Sequence, residues 1–473
     1  MWRREADTLS ADPGNYGQAE PRKTRTAEGS SLSRGGARHQ IFVDFVRESH
    51  MTTRRDFVTL AAASAAVSIV PTSAEAQQSS SALPPAIREL TSMRREATPI
   101  SVDERRGRIE KARRLLIENR LDALMLTGGT SMEYFTGIRW GLSERLLTAI
   151  IPARGAAFLV TPKFEEERAM EQAHQGPLGR EADVYAWEED QDPYALIARG
   201  LRARGLATAT IGAEETVRFV FADGAAHVPG VTVVSGTPVT AGCRMVKDAH
   251  EIALMKLASR VTLKAYEAAW KSLRDGMTQT DFANLVSAAH RQLGFDGSAG
   301  VQVGKYSALP HGSATPQTIR EGSVLLIDGG CKVEGYSSDI SRTFVLGKAT
   351  QRMKDVFEVE LRAQTAALRA ARPGVACEAV DAAARNVITD AGFGPDYKYF
   401  THRVGHGMGM DGHEWPYLVR GNTLPLQPGM VFSDEPGIYL PDEFGVRLED
   451  DMVITTDGAE LMTPQSTSIE RPF

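Results

Sequence analysis

Val324-Leu325-Leu326-Ile327-Asp328-Gly329-Gly330 is a continuous apolar run that ends on an acid and two glycines. Four consecutive apolar residues followed by turn formers read as a buried strand. A carboxylate at the end of such a strand needs a partner or a cation, because an unpaired buried charge is costly. Asp339 opens a second β-rich run, residues 340–346, across a short glycine-containing connection. A hairpin would set Asp328 and Asp339 side by side.

Further along the chain the same pattern recurs. Glu435 follows Val431-Phe432-Ser433-Asp434 and precedes Pro436-Gly437, and Glu449 lies in Val446-Arg447-Leu448-Glu449-Asp450-Asp451-Met452-Val453-Ile454. Pro441 and Gly445 between them fit a second hairpin. His406 stands in Val404-Gly405-His406-Gly407-Met408-Gly409, where the glycines allow close backbone approach to the ring. Taken singly, each acid reads as a turn or cap residue and the histidine as structural. Taken together, four carboxylates and one imidazole form a hard, oxygen-rich set suited to Mn²⁺, Co²⁺ or Fe²⁺, with Zn²⁺ as an alternative. Such a set repels itself without cations. Two divalent ions would offset the charge, and two-metal hydrolysis is the natural use.

Around this centre the chain reads as helices and strands in two units. Residues 250–273 have a helical pattern ended by Asp275-Gly276, and a second helix begins at Thr278 or Thr280 and runs to Leu293-Gly294. Strand-like runs follow at 301–303 and 324–327, then helices at 352–371 and 378–391, then strand-rich sequence after Phe400. The order helix-helix-strands thus occurs twice, which hints at internal duplication. Upstream, residues 102–121 are helical, and short β-rich runs at 122–126, 147–151, 157–160, 183–187, 209–211 and 231–234 predict an α/β layer domain.

The chain has 473 residues, too many for one ordinary domain, and its formal net charge is -6. A mildly acidic chain without a basic, aromatic-interleaved cluster in its folded part gives no reason to expect nucleic acid as a partner. The three cysteines, Cys243, Cys331 and Cys377, form no CxxC pair and read as isolated thiols.

The N-terminal region has a different character. Arg54-Arg55 precede an Ala-rich apolar run over 60–70, which Pro71 ends before Ala74-Glu75-Ala76. A charged start, an apolar middle and a small-residue exit predict a signal peptide over 51–76, and the paired arginines resemble a twin-arginine leader. The apolar run is shorter than the ~20 residues of a stable anchor. The expected location is therefore periplasmic or secreted. Residues 1–50 read as disordered or as a non-native extension, with translation expected to start at Met51, and residues 77–97 as a polar linker.

The motif strings are Leu309-Pro310-His311-Gly312, Leu326-Ile327-Asp328-Gly329-Gly330, Ser338-Asp339-Ile340-Ser341-Arg342-Thr343, Gly405-His406-Gly407-Met408-Gly409, Gly412-His413-Glu414, Asp434-Glu435-Pro436-Gly437-Ile438-Tyr439 and Val446-Arg447-Leu448-Glu449-Asp450. In order and wording they resemble the pitta-bread metallopeptidases: aminopeptidase P, prolidase, methionine aminopeptidase and the metal-free creatinase. Residues 106–126, Tyr134-Phe135-Thr136-Gly137 and Arg244-Met245-Val246-Lys247-Asp248 resemble the family's N-terminal domain, which methionine aminopeptidases usually lack. The resemblance implies a creatinase-like N-terminal α/β domain over 98–243 and an α+β pitta-bread catalytic domain over 244–473.

It also implies roles. Asp328 would chelate one metal, Asp339 and Glu449 both, His406 the other, and Glu435 would bind beside a metal-bridging hydroxide and shuttle its proton. His413 and His311 would hydrogen-bond the substrate carbonyl and oxyanion, and His402 would line the leaving-group side. Arg447 resembles an arginine of the proline-specific branch; a salt bridge to Asp450 or Asp451 is the plain alternative. The implied activity is two-metal hydrolysis of Xaa-Pro peptide bonds, as an aminopeptidase or dipeptidase, with Mn²⁺ as the first expectation and a homodimer as the assembly. The alternatives are a creatinase-type small-molecule C–N hydrolase, against which five intact ligand positions count, and a non-catalytic pitta-bread binding protein, which would have lost ligands.

Overall fold

The structure, a computed structural model, describes residues 83–473. The expected leader at 51–76, the preceding extension and residues 77–82 of the linker lie outside the described residues. The described residues lie within one compact unit.

The segment 83–97, expected as linker, is folded against the rest. Helix α1 (Pro85–Arg88) buries Ile87, Met93 is buried, and the Met93 N–H donates to Leu293 O at 2.8 Å. Its few apolar residues are spaced too sparsely to announce a helix; a groove on another part of the chain supplies what local sequence does not.

Helix α2 (Val102–Glu118) starts on a capping box between Ser101 and Glu104. The N-terminal layer continues with β1 (Ala123–Thr127), α3 (Thr130–Thr136), β2 (Thr148–Pro152), β3 (Phe158–Pro162), α4 (Glu166–Gln175), β4 (Asp183–Trp187), α5 (Tyr194–Arg202), β5 (Ala209–Ala213), α6 (Phe219–Ala226), β6 (Val231–Ser235) and α7 (Thr237–Arg244). Six strands form a sheet in the order β4-β3-β2-β1-β5-β6, antiparallel across β3-β2-β1 and parallel at both ends. β1, β2 and β3 are buried along their whole length, as their unbroken apolar runs foretold.

The second part opens with two long helices, α8 (Ala249–Trp270) and α9 (Gln279–Leu293), capped by Asp248 and Thr278. Then come β7 (Gly297–Val303), β8 (Val324–Val333), β9 (Tyr336–Ser337) and β10 (Ile340–Val345), with β8 central between β7 and β10. Helices α10 (Gln351–Ala370) and α11 (Cys377–Ile388) precede β11 (Gly405–Gly407), β12 (Glu414–Leu418), β13 (Val431–Asp434), β14 (Gly437–Leu440), β15 (Phe444–Arg447), β16 (Asp450–Ile454) and β17 (Ala459–Leu461). Five of these form a sheet in the order β12-β11-β13-β16-β17, while β14 and β15 pair as a hairpin. Two glycines let strands close here. A Cβ on Gly330 would sit 2.0 Å from Ser338 O, and one on Gly405 would sit 2.0 Å from Ser433 O.

The boundary near 243/244 separates the two sheet systems, but the packing runs across it. One apolar core holds Ile109 and Leu116 of α2, Leu124 and Leu126 of β1, and Leu254, Ala258 and Val261 of α8. A buried polar node lies beside it: Arg108 Nη2 donates to Tyr336 Oη at 2.7 Å, and Tyr336 Oη donates to Glu251 Oε1 at 2.7 Å. Among the described residues no helix is long and apolar enough to cross a membrane.

Candidate metal centre

Two hairpin-like junctions bring the acids together. β8 and β10 are antiparallel with Asp328 opposite Ser341; β8 does not end at Asp328, as the apolar run suggested, but continues through Gly329-Gly330 to Val333, so Asp328 is in mid-strand and Asp339 stands just before β10 begins. β13 and β16 are antiparallel with Asp434 opposite Asp450, and at their diverging ends Glu435 and Glu449 enter the same space. The β14–β15 hairpin fills the connection between them. His406 is the middle residue of β11, whose neighbour β13 delivers Glu435.

The donors converge as the sequence predicts. Ligand atoms of Asp328, Asp339 and Glu449 lie within 4.8 Å of one another, as do those of His406, Glu435 and Glu449. A third group joins Asp339, His406 and His413, so the geometry admits His413 as a further donor. His406 Nε2 stands 3.2 Å from Glu435 Oε1 and 3.9 Å from Asp339 Oδ2. Its Nδ1 is 3.1 Å from Gly407 O, which leaves Nε2 as the ring atom that faces the carboxylates. His406 and Glu449 are buried, whereas Asp328, Asp339 and Glu435 face a partly open space.

The electrostatics call for cations. Burial, with Asp328 and Glu435 beside it, pushes the Asp339 carboxyl well above its ordinary range; burial and Asp339 do the same to Glu449. Glu435 goes the other way. Burial raises it, but the hydrogen bond from His406 and the positive character of His402, His406 and Arg447 together bring it down to about 2. Crowded carboxylates of which some are forced toward the neutral form are what a pair of divalent cations relieves, so this donor set fits a dinuclear centre.

Arg447 is the fixed cation of the site. Its Nη2 lies 2.6 Å from Asp328 Oδ2 and its Nε 3.9 Å from Glu449 Oε2. The alternative expectation, a bridge to Asp450 or Asp451, does not hold. Asp450 faces away and pairs with the fully buried Arg342 at 2.7 Å, while Asp451 accepts from Ser259 Oγ at 2.7 Å. Strand β15 ends at Arg447 and β16 begins at Asp450, so the break between them turns the two residues to opposite sides. Arg447 Nη1 also donates to Tyr439 Oη at 3.1 Å, and Tyr439 Oη meets His402 Nε2 at 2.8 Å. His402 thus joins the cluster through Tyr439, its backbone carbonyl held by Arg385 Nη2 at 2.8 Å. The His413 ring stacks on His406, centroids 3.6 Å apart at 18°. Burial and the neighbouring His406 lower His413 to about 4, so it is neutral near pH 7. His311 is exposed on the loop after the 3₁₀ turn Gly304–Ala308, and the structure gives it no hydrogen bond among the described residues. Its neighbour Pro310 ties that loop to the site by accepting from Arg447 Nη1 at 3.3 Å.

Several members of the site were not singled out from sequence. Ser341 Oγ lies 2.9 Å from Asp328 Oδ1 and 2.6 Å from Glu449 Oε2, and receives Arg447 Nε at 2.8 Å. Ser433 Oγ links the His406 N–H, 3.0 Å away, to Glu435 Oε1 at 3.2 Å. Asp451, raised to about 8 by burial, takes the Asp339 N–H at 3.2 Å. A signal was available: Ser341, Ser433 and Asp451 each lie two residues from an acid of the site, the spacing that puts side chains on one face of a strand.

Comparison with known proteins identifies the family of both parts of the chain. Metallopeptidase family M24 matches residues 253–456, and the Creatinase/Prolidase N-terminal domain matches residues 108–246. The Xaa-Pro dipeptidase of Lactobacillus delbrueckii subsp. lactis is 33% identical over 371 residues, covering 76% of this chain and 98% of the relative. The crystal structure of dipeptidase PepE from Mycobacterium ulcerans superposes with a TM-score of 0.74 at 32% identity, covering 79% of this chain and 99% of that one. The X-Pro aminopeptidase of Thermotoga maritima MSB8 gives 0.66 at 28% identity, covering 76% and 99%. With its donors assembled on strands of the second part and a creatinase-type N-terminal layer preceding them, the chain belongs to metallopeptidase family M24.

Proposed function

We propose that the protein hydrolyses the peptide bond between a first residue and proline, in Xaa-Pro dipeptides or at the N-terminus of longer peptides. The observation that carries this reading is the convergence of Asp328, Asp339, His406, Glu435 and Glu449 in overlapping donor groups within 4.8 Å. The relatives bearing dipeptidase and X-Pro aminopeptidase names support the substrate class. Those five residues would hold two divalent ions, with Mn²⁺ proposed on the oxygen-rich donor set. When bound, such ions supply Lewis acidity and a water of lowered pKa.

The chain's own groups do the rest. Glu435, kept ionised by its neighbours, accepts a proton at Oε and returns it to the leaving nitrogen. His413, neutral, donates a hydrogen bond to the substrate carbonyl oxygen, where charge develops. His311 completes that role from its loop, and His402 with Arg447 lines the proline side. Proline offers no N–H to an enzyme that binds its substrate as an added strand. A site that grips the carbonyl and the free amine needs none.

The test strips the protein with chelator, restores Mn²⁺, Co²⁺ or Zn²⁺, and assays Ala-Pro beside an Xaa-Pro-Xaa peptide, with Glu435→Gln as control. Metal-dependent release of the first residue, lost in the variant, supports the reading, and the preferred length names the branch. Metal binding without cleavage of either peptide moves the assignment to a small-molecule C–N hydrolase. No metal binding overturns it in favour of a binding role.

We further propose export through the leader over 51–76, on its paired arginines, apolar run and small-residue exit, and a homodimer as the working assembly. A mature N-terminus near Gln77 in the periplasmic fraction, and a mass in solution of twice the chain, are the expected results; a cytosolic, uncleaved protein or a monomer overturns the respective proposal.

A further inference from the structure

His413 stands on the loop between β11 and β12, with its ring stacked on His406 and, among the described residues, no hydrogen bond to fix it. Its backbone is fixed instead, on both sides. Asp411, two residues before it, accepts from Thr130 Oγ1 at 2.6 Å and from Arg244 Nη2 at 2.6 Å. Glu414, directly after it, accepts from Arg244 Nη2 at 2.5 Å and from Lys247 Nζ at 2.7 Å. Gly412 between these anchors has open space around its Cβ direction. The segment is thus pinned at its ends and free in the middle, and the anchors decide where the ring points.

The anchors come from the other half of the molecule. Thr130 and Ser131 open α3 of the N-terminal layer, and Ser131 Oγ accepts Arg244 Nη1 at 3.1 Å. Arg244 ends α7, and Lys247 lies in the junction, whose N–H donates to Gly429 O at 2.9 Å. Arg244, Lys247 and Glu414 are buried at 6%, 2% and 9% side-chain exposure. The lack of a side chain at Gly409 allows the approach: a Cβ there would lie 2.7 Å from Glu414 Oε1 and 3.1 Å from Lys247 Cε. Two cations meet two carboxylates, so the clamp is charge-neutral and asks for no ligand of its own.

We propose that Arg244 is a positioning residue for catalysis: it couples the N-terminal layer to the Asp411–Glu414 segment and so sets His413 at the angle from which it meets the substrate carbonyl. The N-terminal layer then takes part in the reaction without touching substrate. A planar guanidinium that spans two carboxylates and a hydroxyl suits this role, since it fixes direction as well as distance. The inference rests on the assignment of His413 as a substrate hydrogen-bond donor.

The experiment is a double-mutant cycle on the metal-loaded enzyme with Ala-Pro, using Arg244→Gln, His413→Ala and the pair. Arg244→Gln is expected to lower kcat/KM by about 100-fold, the cost of a misplacement near 1 Å. In the His413→Ala background the same change is expected to cost no more than about twofold, the sign that both act through one group. An equal loss in both backgrounds overturns the proposal, as does loss of bound Mn²⁺ in Arg244→Gln, which would place its effect on the metal ligands. Should Arg244→Gln not fold, Asp411→Asn, at a part-exposed residue, carries the same cycle with an expected loss of about tenfold. Should the wild type cleave no Xaa-Pro peptide, the substrate assignment fails and the clamp is still read from the ¹⁵N imidazole resonances. A shifted His413 signal in the variant beside an unmoved signal from His227, an exposed residue directly after α6, supports it, and an unmoved His413 overturns it.

Discussion

The metal centre and the Arg244 clamp are both buried clusters of acids and bases, and they differ in their arithmetic. At the centre, Asp328, Asp339, Glu435 and Glu449 face one permanent cation, Arg447, and one imidazole, His406. At the clamp, Asp411 and Glu414 face Arg244 and Lys247, one charge for one. The pair Arg342–Asp450, fully buried behind the centre, also sets one cation against one carboxylate, with the buried Asp434 carboxyl, raised by burial and by Asp450, beside it. A balanced cluster is complete within the chain and serves to fix geometry. An unbalanced one is held together by neighbouring structure and is completed by something from outside, which is where chemistry takes place.

Substitutions in the two kinds of cluster therefore act on different observables. The largest effect expected is on rate: Glu435→Gln lowers kcat on Ala-Pro by about 10³-fold, within the range for losing a general acid–base, while the melting temperature stays close to the wild type. Next comes a balanced pair. Arg342→Met leaves the Asp450 carboxylate buried without its cation and costs about 3–5 kcal/mol of stability in denaturant titration, with or without metal. Smaller, and of opposite sign, is Asp339→Asn in the metal-stripped protein. Burial and the surrounding carboxylates push Asp339 up, so a neutral isostere removes a penalty. The melting temperature of the stripped variant rises by about 2–4 °C while activity is lost. A fall instead would mean that Asp339 is balanced by its neighbours and would erase the contrast.

The smallest effect is at the surface, where Glu104 and His250 join α2 to the start of α8 at 2.6 Å. Burial is the largest single influence on Glu104 and raises it, but hydrogen bonds from Ser101 and His250 together outweigh it and bring it down to about 2, while His250 is raised by that bond. A depressed acid stabilises above its unfolded value of about 4.5, and this is lost as pH falls toward 2; a raised histidine stabilises below about 6.5, and this is lost as pH rises through its folded value. Both contributions are complete between those limits. Glu104→Gln therefore lowers the melting temperature more at pH 5.5 than at pH 9, by about 1 °C.

The elements of the fold were legible where local signals were strong. Thr278 and Gly294 delimit α9, and the unbroken apolar runs of β1 and β8 are buried strands. The shorter helices of the N-terminal layer, α3 to α7, do not stand out by residue pattern, because few turns give little periodicity and packing against the sheet supplies most of their stability. The segment 83–97 reads as linker in sequence because a few apolar residues spread over a polar stretch count for little until a groove receives them. At the site, the donors were legible by the oddness of acids at the ends of apolar runs, whereas Ser341 and Tyr439 look ordinary in sequence and matter only through what they touch.

By itself the sequence determined the donor set, its order along the chain and the strands that carry it, because residue type and strand periodicity are local properties. The tertiary structure alone decided that Arg447 turns to Asp328 while Asp450 turns to Arg342, that Tyr439 joins His402 to that cluster, and that the N-terminal layer grips the His413 loop through Arg244. Those are contacts between residues far apart in the chain. Which charge meets which is fixed by the register and break points of strands that come together only when the whole unit folds.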